Sequence, residues 1–385
     1  MSGGGKKLER LLVTTQDDLQ RHVGRWLQEP ILAIDTESNS LYAYRERVCL
    51  IQVSTVKVDT LVDPLALDEL SQMAPVFAAP GIEKVFHAAD YDLLCLKRDF
   101  GFEFANIFDT MIAARTLGRT ELGLGALLEG EFGIHLDKKQ QRANWGIRPL
   151  PRVMLEYARL DTHYLIGLRD RLEAELRERD LLRLAQEDFN YLCSIKEYGN
   201  GRQPAADPGL DCWRVSGSYD LEPQQAAVLA ELCRYRDQAG RVMDRPLFKV
   251  INDHTLLAIA ERLPRSMDEL DGLPGMTPAQ IRRHGEQLVQ AVTRGLESPP
   301  LRPPRPVRQD AGYLERVDRL RNWRKRAAAQ MGVTSDVVLP RDVMQLLAED
   351  DPRSMEDLAH SMSDFPWRLE HFGGQILAVL TKKKT

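Results

Sequence analysis

The chain has 385 residues, 43% of them hydrophobic and 28% charged, which is the length and composition of an ordinary globular protein with two or three domains. Its formal net charge of −5 argues against a protein that coats nucleic acid through overall charge. No apolar run reaches the roughly 20 residues that a membrane helix needs, and because the first residues, MSGGGKKLER, lack the apolar region of a secretory signal, we expect no secretory leader. Its five cysteines form no close pair, which argues against a zinc cluster and a disulfide framework, so we expect a cytoplasmic protein, monomeric by default, with reduced thiols.

The first two hundred residues predict a mixed sheet covered by helices. Thr15, followed by two acids, predicts the N-cap of a first helix. Strand composition occurs at residues 31–35, 48–55, 57–63 and 84–87. A helix is predicted from about Asp90, and beyond residue 105 we expect helices and loops without a further strand. The stretch 153–195 has the longest apolar stripe and predicts helical structure that closes this domain.

The second half of the chain contains an internal repeat at an offset of 88 residues. The tetrapeptide PRSM occurs at 264–267 and again at 352–355, and Gly285 recurs as Gly373. Agreement in one register over more than fifty residues indicates a duplication, and each copy is predicted to be a small helical domain. The expected division is a sheet domain at 1–205, a linker at 206–220, a first helical domain at 221–297, a proline-rich linker at 298–310 and a second helical domain at 311–381.

Acidic residues stand at three points of the sheet domain from which they could meet. Asp35 and Glu37 leave one face of a strand together, because side chains two apart in a strand point the same way. Asp92 falls in the first turn of a helix that follows a strand, where sites in such sheets often gather. Tyr157 and Asp161 are four apart and share a helix face. Like charges held close favour a cation between them, so the combination indicates a metal site.

The ordered set of four acids and a tyrosine resembles the DEDDy 3′-to-5′ exonucleases, whose fold is RNase H-like. The similarity to the ribonuclease D family lies in the segments LIQVS (50–54), HAADYDL (87–93), ELGLGALLEGEFGIHLDKKQQRANWGIRPL (121–150) and YARLDTHYL (157–165). The two repeats are similar to HRDC domains. The resemblance implies an α/β RNase H-like exonuclease domain, with a mixed sheet and flanking helices, followed by two small all-α HRDC domains.

This resemblance implies phosphodiester hydrolysis with two divalent ions, Mg²⁺ or Mn²⁺. On the family pattern Asp35 bridges the ions, Glu37 and Asp161 hold the ion that carries the attacking water, and Asp92 serves the other ion. Tyr157 is expected to orient the water, because a phenol with a pKa of about 10 is a poor base at neutral pH. The implied substrate is RNA with a single-stranded 3′ end, such as a tRNA precursor, from which nucleoside 5′-monophosphates are released.

Basic residues beside an aromatic ring predict where RNA is held. The candidate RNA-binding residues are Gln52, His87, Lys138, Lys139, Arg142, Trp145, Arg148 and Arg324. The alternative for Trp145 is a core position with the neighbouring cations as a solvated rim, and the alternative for His87 is a structural role at a strand end. The basic segment 302–326 and the lysines at 382–384 could hold the body of a folded RNA or form a polar helix face.

Two other functions are compatible with the same residues. A DNA 3′-5′ exonuclease of proofreading or repair type would use the same chemistry, which acts on the phosphate and is indifferent to the 2′-hydroxyl. An RNA-binding module that has lost nuclease activity is the second alternative, and the complete set of acids argues against it. Whether the helical copies act as a clamp, a ruler or a spacer is open from sequence.

Overall fold

The computed structural model describes residues 11–194, 207–304 and 310–382, apart from the side chain of Lys138. The chain divides into two compact units. The first unit contains the chain up to Ser38, the chain from Val48 through the sheet domain, and the second helical copy; the second unit contains residues 39–47 and the first helical copy. The predicted domain boundaries stay predictions, and the one between residues 205 and 206 lies outside the described residues.

The described part of the first unit forms one six-stranded mixed sheet. Its strands are β1 (Leu12–Val13), β2 (Ile31–Ser38), β3 (Val48–Ser54), β4 (Asp59–Val62), β5 (Glu83–Phe86) and β6 (Ile107–Asp109). Their order across the sheet is β1, β4, β3, β2, β5, β6. β2 is therefore an inner strand, antiparallel to β3 and parallel to β5. The strand that carries the first two acids lies inside the sheet and not at its edge.

The observed strands differ from the prediction at two places. The expectation of no strand beyond residue 105 is wrong, because β6 pairs in parallel with β5. β6 has three residues, which is too short to show an alternating pattern. Its last residue, Asp109, also caps the following helix by accepting the N–H groups of Met111 and Ile112. In the sequence Asp109 therefore indicates the start of a helix, and the strand that ends at the same residue was not predicted. The two-residue β1 was likewise not expected.

Helices pack on both faces of this sheet. They are α1 (Gln16–Trp26), α2 (Ala74–Ala78), α3 (Asp90–Phe100), α4 (Thr110–Thr116), α5 (Leu124–Phe132), α6 (Arg152–His163), α7 (Leu165–Glu178) and α8 (Leu182–Cys193). Leu32 and Ile34 pack into the core that contains Trp26 of α1, whereas Ala33 packs into the core that contains Leu168 of α7. Successive β2 residues thus fill opposite layers, which is the predicted sheet with flanking helices.

The duplication is visible in the helices as well as in the sequence. The first copy contains α9 (Pro223–Met243), α10 (Leu247–Val250), α11 (Asp253–Arg262) and α12 (Pro278–Glu297), and the second contains α13 (Ala311–Met331), α14 (Ser335–Val338), α15 (Arg341–Asp350), α16 (Met355–Ser361) and α17 (Pro366–Thr381). A Cβ at Gly285 would lie 3.2 Å from Met267 Cε, and one at Gly373 would lie 3.1 Å from Met355 Cε. The repeated glycine therefore admits the repeated methionine in both copies.

The second copy is built into the first unit through α8. Arg368, at the start of α17, is fully buried and donates to Glu187 Oε2 at 2.9 Å and to Asp188 Oδ2 at 2.9 Å. The equivalent residue of the first copy is Gln280, which donates to the Val250 carbonyl at 3.2 Å. The residue that is a glutamine in the first copy is thus an arginine in the second copy, where two acids of the sheet domain balance the charge of the arginine.

The first copy holds the loop that joins β2 to β3. The Tyr44 hydroxyl donates to Asp237 and accepts from Arg241 Nε at 2.9 Å, both on α9. The Lys249 ammonium lies 3.9 Å from the centre of the Tyr42 ring, which is a cation–π contact. Residues 39–47 therefore belong to the second unit by contact, although they separate two neighbouring strands in sequence.

The helices and cysteines of the described ranges can be compared with what the composition predicts. No helix in these ranges is long and apolar enough to cross a membrane. All five cysteines are free. Cys49, Cys95, Cys212 and Cys233 are buried, and Cys193 is partly buried.

Candidate active site

Three carboxylates meet where β2 ends. Asp35 and Glu37 come from that strand, and Asp161 comes from the last turns of α6. One carboxylate oxygen of each residue lies within 4.8 Å of the other two. The pairing of β2 with β3 shifts register between Glu37 and Ser38, so the ladder is irregular beside the second acid. The structure thus brings together residues that are 124 positions apart, from Glu37 to Asp161.

The fourth acid, Asp92, is held beside this group by the residue between the two strand acids. Asp92 lies in the first turn of α3 and is 8% exposed. Its Oδ1 accepts the Thr36 N–H at 3.1 Å and also the Thr36 hydroxyl. Thr36 therefore fixes the orientation of Asp92. Sequence reasoning did not identify Thr36 as a site residue, because a threonine in a strand needs no functional explanation.

Two glutamines lie beside members of the group. Gln52 Nε2 donates to Asp35 Oδ2 at 3.3 Å, and the buried Gln52 Oε1 has no partner among the described residues. Gln141 and Tyr157 both line the cavity described below. Gln52 was predicted to contact RNA, but its side chain is fully buried and serves Asp35. Gln52 therefore supports Asp35, and the prediction that it contacts RNA is corrected. Gln141 was not predicted.

The acids open into a cavity of about 340 Å³, within the range of sites for small ligands. Its lining consists of Asp35, Thr36, Glu37, His87, Gly123, Leu124, Gly125, Leu136, Asp137, Gln141, Tyr157 and Asp161. Among the side chains that the structure describes, this lining includes no arginine or lysine. The cavity is therefore acidic, and a phosphate could approach only if cations were present.

Burial and mutual repulsion hold protons on the acids. Burial raises the pKa of Glu37 to about 9, and the carboxylates of Asp161 and Asp92 add to the shift. The pKa of Asp35 is raised well above its usual value by burial and then by Asp92. Burial also raises the pKa of Asp161, against the hydrogen bond from Tyr157. The pKa of Tyr157 is raised by burial and by Asp161, so its hydroxyl stays protonated.

These groups fit divalent cations of the hard type. The donor set consists of carboxylate oxygens, which Mg²⁺ and Mn²⁺ prefer, and it has neither sulfur nor imidazole among its three closest members. The raised pKa values have the sign expected of a group of acids without its counter-charge. Asp35, Glu37 and Asp161 could hold such ions, with Asp92 next to them.

Trp145 is not a surface for RNA bases, so this prediction is wrong. Its side chain is 1% exposed and packs in a core with Leu150 and Met154. Its ring centre lies 6.1 Å from that of Tyr157. A base cannot stack on a ring that other side chains cover, and the alternative of a core position applies.

Trp145→Ala is expected to lower the free energy of unfolding by about 3–5 kcal/mol, since it empties a core position. Denaturant unfolding followed by circular dichroism measures this. Ile147→Ala is the matched control two residues away, because Ile147 is 41% exposed and its truncation should cost less than about 0.5 kcal/mol. Unchanged stability of Trp145→Ala together with weaker binding of single-stranded RNA would restore the original prediction.

Two arginines that were predicted to bind RNA have acceptors within the protein. Arg148 forms a bidentate ion pair with Asp63, with both N–O distances at 2.6 Å, and donates to the Cys49 carbonyl at 2.7 Å. Arg324 donates to the Leu339 carbonyl at 2.7 Å. Its counterpart in the first copy, Arg236, donates to the Ile251 carbonyl, which is 88 residues before Leu339. The contacts of Arg148 correct its prediction, because all three nitrogens of its guanidinium already have acceptors in the protein. Arg324 uses one nitrogen in this way and its Nε has no acceptor among the described residues, so its contact with RNA stays a prediction.

The other predicted RNA contacts keep their status as predictions. His87 lines the cavity, its Nδ1 is 2.9 Å from Thr110 Oγ1, and burial lowers its pKa to about 4, so it is uncharged at neutral pH. Lys139 is exposed and pairs with Asp137 at 3.2 Å. Arg142 is exposed. The Lys138 side chain, Arg305, Arg308 and the last two lysines of 382–384 lie outside the described residues.

Comparison with known proteins identifies relatives for the whole chain. Residues 11–177 match a 3′-5′ exonuclease domain family, and residues 225–292 and 314–380 each match the HRDC domain. The chain is 31% identical over 290 residues to ribonuclease D of Shewanella sp. (strain ANA-3), covering 75% of this chain and 73% of the relative. It is 28% identical over 368 residues to ribonuclease D of Pseudomonas paraeruginosa, covering 94% and 95%. The crystal structure of Escherichia coli RNase D, described as an exoribonuclease involved in structured RNA processing, is similar with a TM-score of 0.69 and 25% identity, covering 97% and 99%.

Proposed function

Because this chain belongs to the ribonuclease D family and is a 3′-5′ exoribonuclease, we propose that it trims structured RNAs from a single-stranded 3′ end with the four acids and Tyr157. The two HRDC matches agree with the predicted resemblance to that family. The observation that carries the assignment of residues is the group of carboxylates at the end of β2. Three of them have oxygens within 4.8 Å of one another, in a cavity whose described lining has no arginine or lysine.

In this proposal each residue has a role that its contacts support. Asp35, Glu37 and Asp161 hold divalent ions, and Asp92, oriented by Thr36, completes the set. When bound, the ions supply a water of lowered pKa and neutralise charge on the leaving oxygen. Tyr157 keeps its proton, because its pKa is raised, and therefore directs a hydrogen bond without accepting the proton of the attacking water.

The substrate and setting are also proposals. The RNase D of Escherichia coli is described as acting on structured RNA, and we propose precursors of tRNA and other stable RNAs for this chain. A cavity of about 340 Å³ has room for the end of one strand, which favours a single-stranded 3′ tail. We further propose that the protein acts as a monomer in the cytoplasm, with two ions of Mg²⁺ or Mn²⁺ per site.

A direct test uses purified protein with RNA and DNA oligonucleotides of one sequence, each labelled at its 5′ end. With Mg²⁺ or Mn²⁺ the RNA should give a ladder that shortens one nucleotide at a time from the 3′ end, with nucleoside 5′-monophosphates as products. EDTA should stop the reaction. The same ions should raise the unfolding temperature of the metal-free protein, because they neutralise a buried group of acids.

Each outcome separates the proposal from its alternatives. Equal degradation of DNA would favour a DNA exonuclease. Binding of RNA without shortening, with either metal, would favour the inactive RNA-binding module. A hairpin RNA with a 3′ tail should be shortened only to the edge of its stem, whereas cleavage inside the stem would contradict trimming from a single-stranded end.

A further inference from the structure

His87 and Thr110 leave the sheet side by side. β5 and β6 are parallel, with Phe86 opposite Asp109, so the next residue of each chain segment, His87 and Thr110, lie together at the carboxyl ends of these strands. Asp109 Oδ2 accepts the Ala89 N–H at 2.7 Å, which fixes the turn that follows the histidine. The sheet and this turn therefore place the His87 ring before any substrate binds.

The Thr110 hydroxyl determines which ring nitrogen of His87 carries a proton. Thr110 is fully buried, and its Oγ1 donates to the Phe86 carbonyl at 3.0 Å. A hydroxyl has one proton to give, so His87 Nδ1, which lies 2.9 Å from the same oxygen, must donate to it. Burial lowers the pKa of His87 to about 4, and the uncharged ring has no second N–H. His87 Nε2 is thus a hydrogen-bond acceptor.

This acceptor faces the catalytic cavity. His87 lines the cavity, whereas Thr110 does not, so a ring whose Nδ1 is directed at Thr110 presents its other side to the cavity. Nε2 has no hydrogen-bond partner among the residues that the structure describes. The acids of the same lining suit cations, but an uncharged imidazole nitrogen suits an O–H or N–H donor. The cavity therefore has one neutral acceptor ready for a donor of the substrate.

Few groups of an RNA end can fill that place. A phosphate has no proton to donate, and the donors of the base change with each nucleotide that is removed. The sugar hydroxyls are the constant donors of the strand. Hydrolysis at the phosphate does not distinguish RNA from DNA, so a preference for RNA needs a contact with the 2′-hydroxyl.

We propose that His87 is a specificity-determining residue, whose Nε2 accepts a hydrogen bond from a 2′-hydroxyl at the 3′ end of the RNA. This inference rests on the proposed function, in which the catalytic cavity holds that end. The relay from His87 through the Thr110 hydroxyl to the Phe86 carbonyl keeps Nε2 free of a proton.

The experiment compares three 5′-labelled oligonucleotides of one RNA sequence that differ only in their last two sugars. These sugars are ribose, 2′-deoxyribose or 2′-fluoro-2′-deoxyribose, and kcat/KM is measured for removal of the terminal nucleotide. The wild type should be slower on both modified substrates by roughly three- to tenfold, the effect of one neutral hydrogen bond. The fluorine separates donation from polarity, because a C–F group has no proton to donate.

Two variants locate the source of this preference. His87→Asn keeps an N–H that can reach Thr110 but has no atom at the position of Nε2. In this variant the ratio of kcat/KM between the ribose and deoxyribose substrates should fall to within about twofold of one. Leu136→Ala is the matched control, because Leu136 lines the same cavity without a polar group and its truncation should leave the ratio at the wild-type value.

A second readout does not depend on turnover. Long-range proton–nitrogen correlation spectra distinguish the two tautomers of a histidine, and the His87 signals are those that His87→Asn lacks. At pH 7 the ring proton should be on Nδ1 both with and without Mg²⁺.

Several results would overturn the role of His87. These are a proton on Nε2, equal rates on the 2′-fluoro and ribose substrates, a wild-type ratio in His87→Asn, or a ratio that Leu136→Ala lowers as much. A wild type that shortens all three substrates equally rejects this inference alone. A wild type that leaves all three intact with Mg²⁺ or Mn²⁺ rejects the proposed function and this inference with it.

Discussion

Replacing Asp35 with asparagine is expected to reduce RNA hydrolysis below detection and to raise the unfolding temperature of the metal-free protein. The loss follows because Asp35 is one of the three acids whose oxygens lie within 4.8 Å of one another, and an amide oxygen carries no charge to offset a cation. The gain follows because the pKa of Asp35 is raised by burial and by its acidic neighbours, so its ionised form destabilises the fold. For a domain of the size predicted for the sheet domain, each 1 kcal/mol gained should raise the midpoint by roughly 2–4 °C.

The gain in stability should depend on pH. A carboxyl group whose pKa is raised in the folded protein contributes stability below its unfolded pKa of about 3.9 and loses it as the pH rises through the folded value. Asp35→Asn should therefore differ little from the wild type at pH 4 and exceed it most at pH 8. Scanning calorimetry in EDTA measures the difference.

Asp59→Asn is the control for a strand acid outside the cavity. Asp59 pairs with Arg159 at 2.9 Å and lies on β4, so its replacement should lower stability and leave hydrolysis in place. If Asp35→Asn destabilises the protein as Asp59→Asn does, then Asp35 is a structural acid and the proposed ion site loses one of its three ligands.

Arg368→Gln is expected to lower the free energy of unfolding by about 3–5 kcal/mol, as is typical when one partner of a buried ion pair is removed. Glutamine is the residue that the first copy has at this position, so the variant gives the second copy the side chain of the first. It leaves Glu187 and Asp188 buried without their guanidinium. The measurement is denaturant unfolding, in which the transition should move to lower concentration.

The control is a second arginine that links the same two helices. Arg183 pairs with Glu370 at 3.3 Å, but their side chains are 66% and 61% exposed, so Arg183→Gln should cost less than about 1 kcal/mol. Acid should reduce the defect of Arg368→Gln, because the unpaired Glu187 can then take up a proton. Equal costs for the two variants, or a defect that grows toward pH 5, would show that the buried charges do not hold the second copy.

The residues of the candidate site were readable from sequence because each signal is local. Asp35 and Glu37 are two apart on a strand, and Tyr157 and Asp161 are four apart on a helix, so backbone periodicity alone aligns each pair. Gln141 and Thr36 were missed for the opposite reason. Gln141 lies in the cavity with Tyr157 and Thr36 donates to Asp92, and no local pattern connects residues 16 and 56 positions apart.

The errors among the RNA-binding residues have a common physical cause. An aromatic ring beside cations is typical of RNA-binding segments and also of core positions with solvated edges, and only the packing of Trp145 distinguishes the two. For Arg324 the repeat also indicates a structural contact. Its equivalent Arg236 holds the same carbonyl position of the other copy, and an arginine kept at both places indicates a shared structural contact.

The loop between β2 and β3 also determines when this protein can finish folding. Tyr44 and Asp237 are 193 residues apart in the chain. At a synthesis rate of about 5–20 residues per second, Asp237 leaves the ribosome roughly 10–40 s after Tyr44. The delay between Glu187 and Arg368 is almost as long, since they are 181 residues apart. The nascent sheet must therefore persist with an undocked loop and an uncompensated acid pair, and premature termination anywhere before Arg368 leaves both acids without their cation.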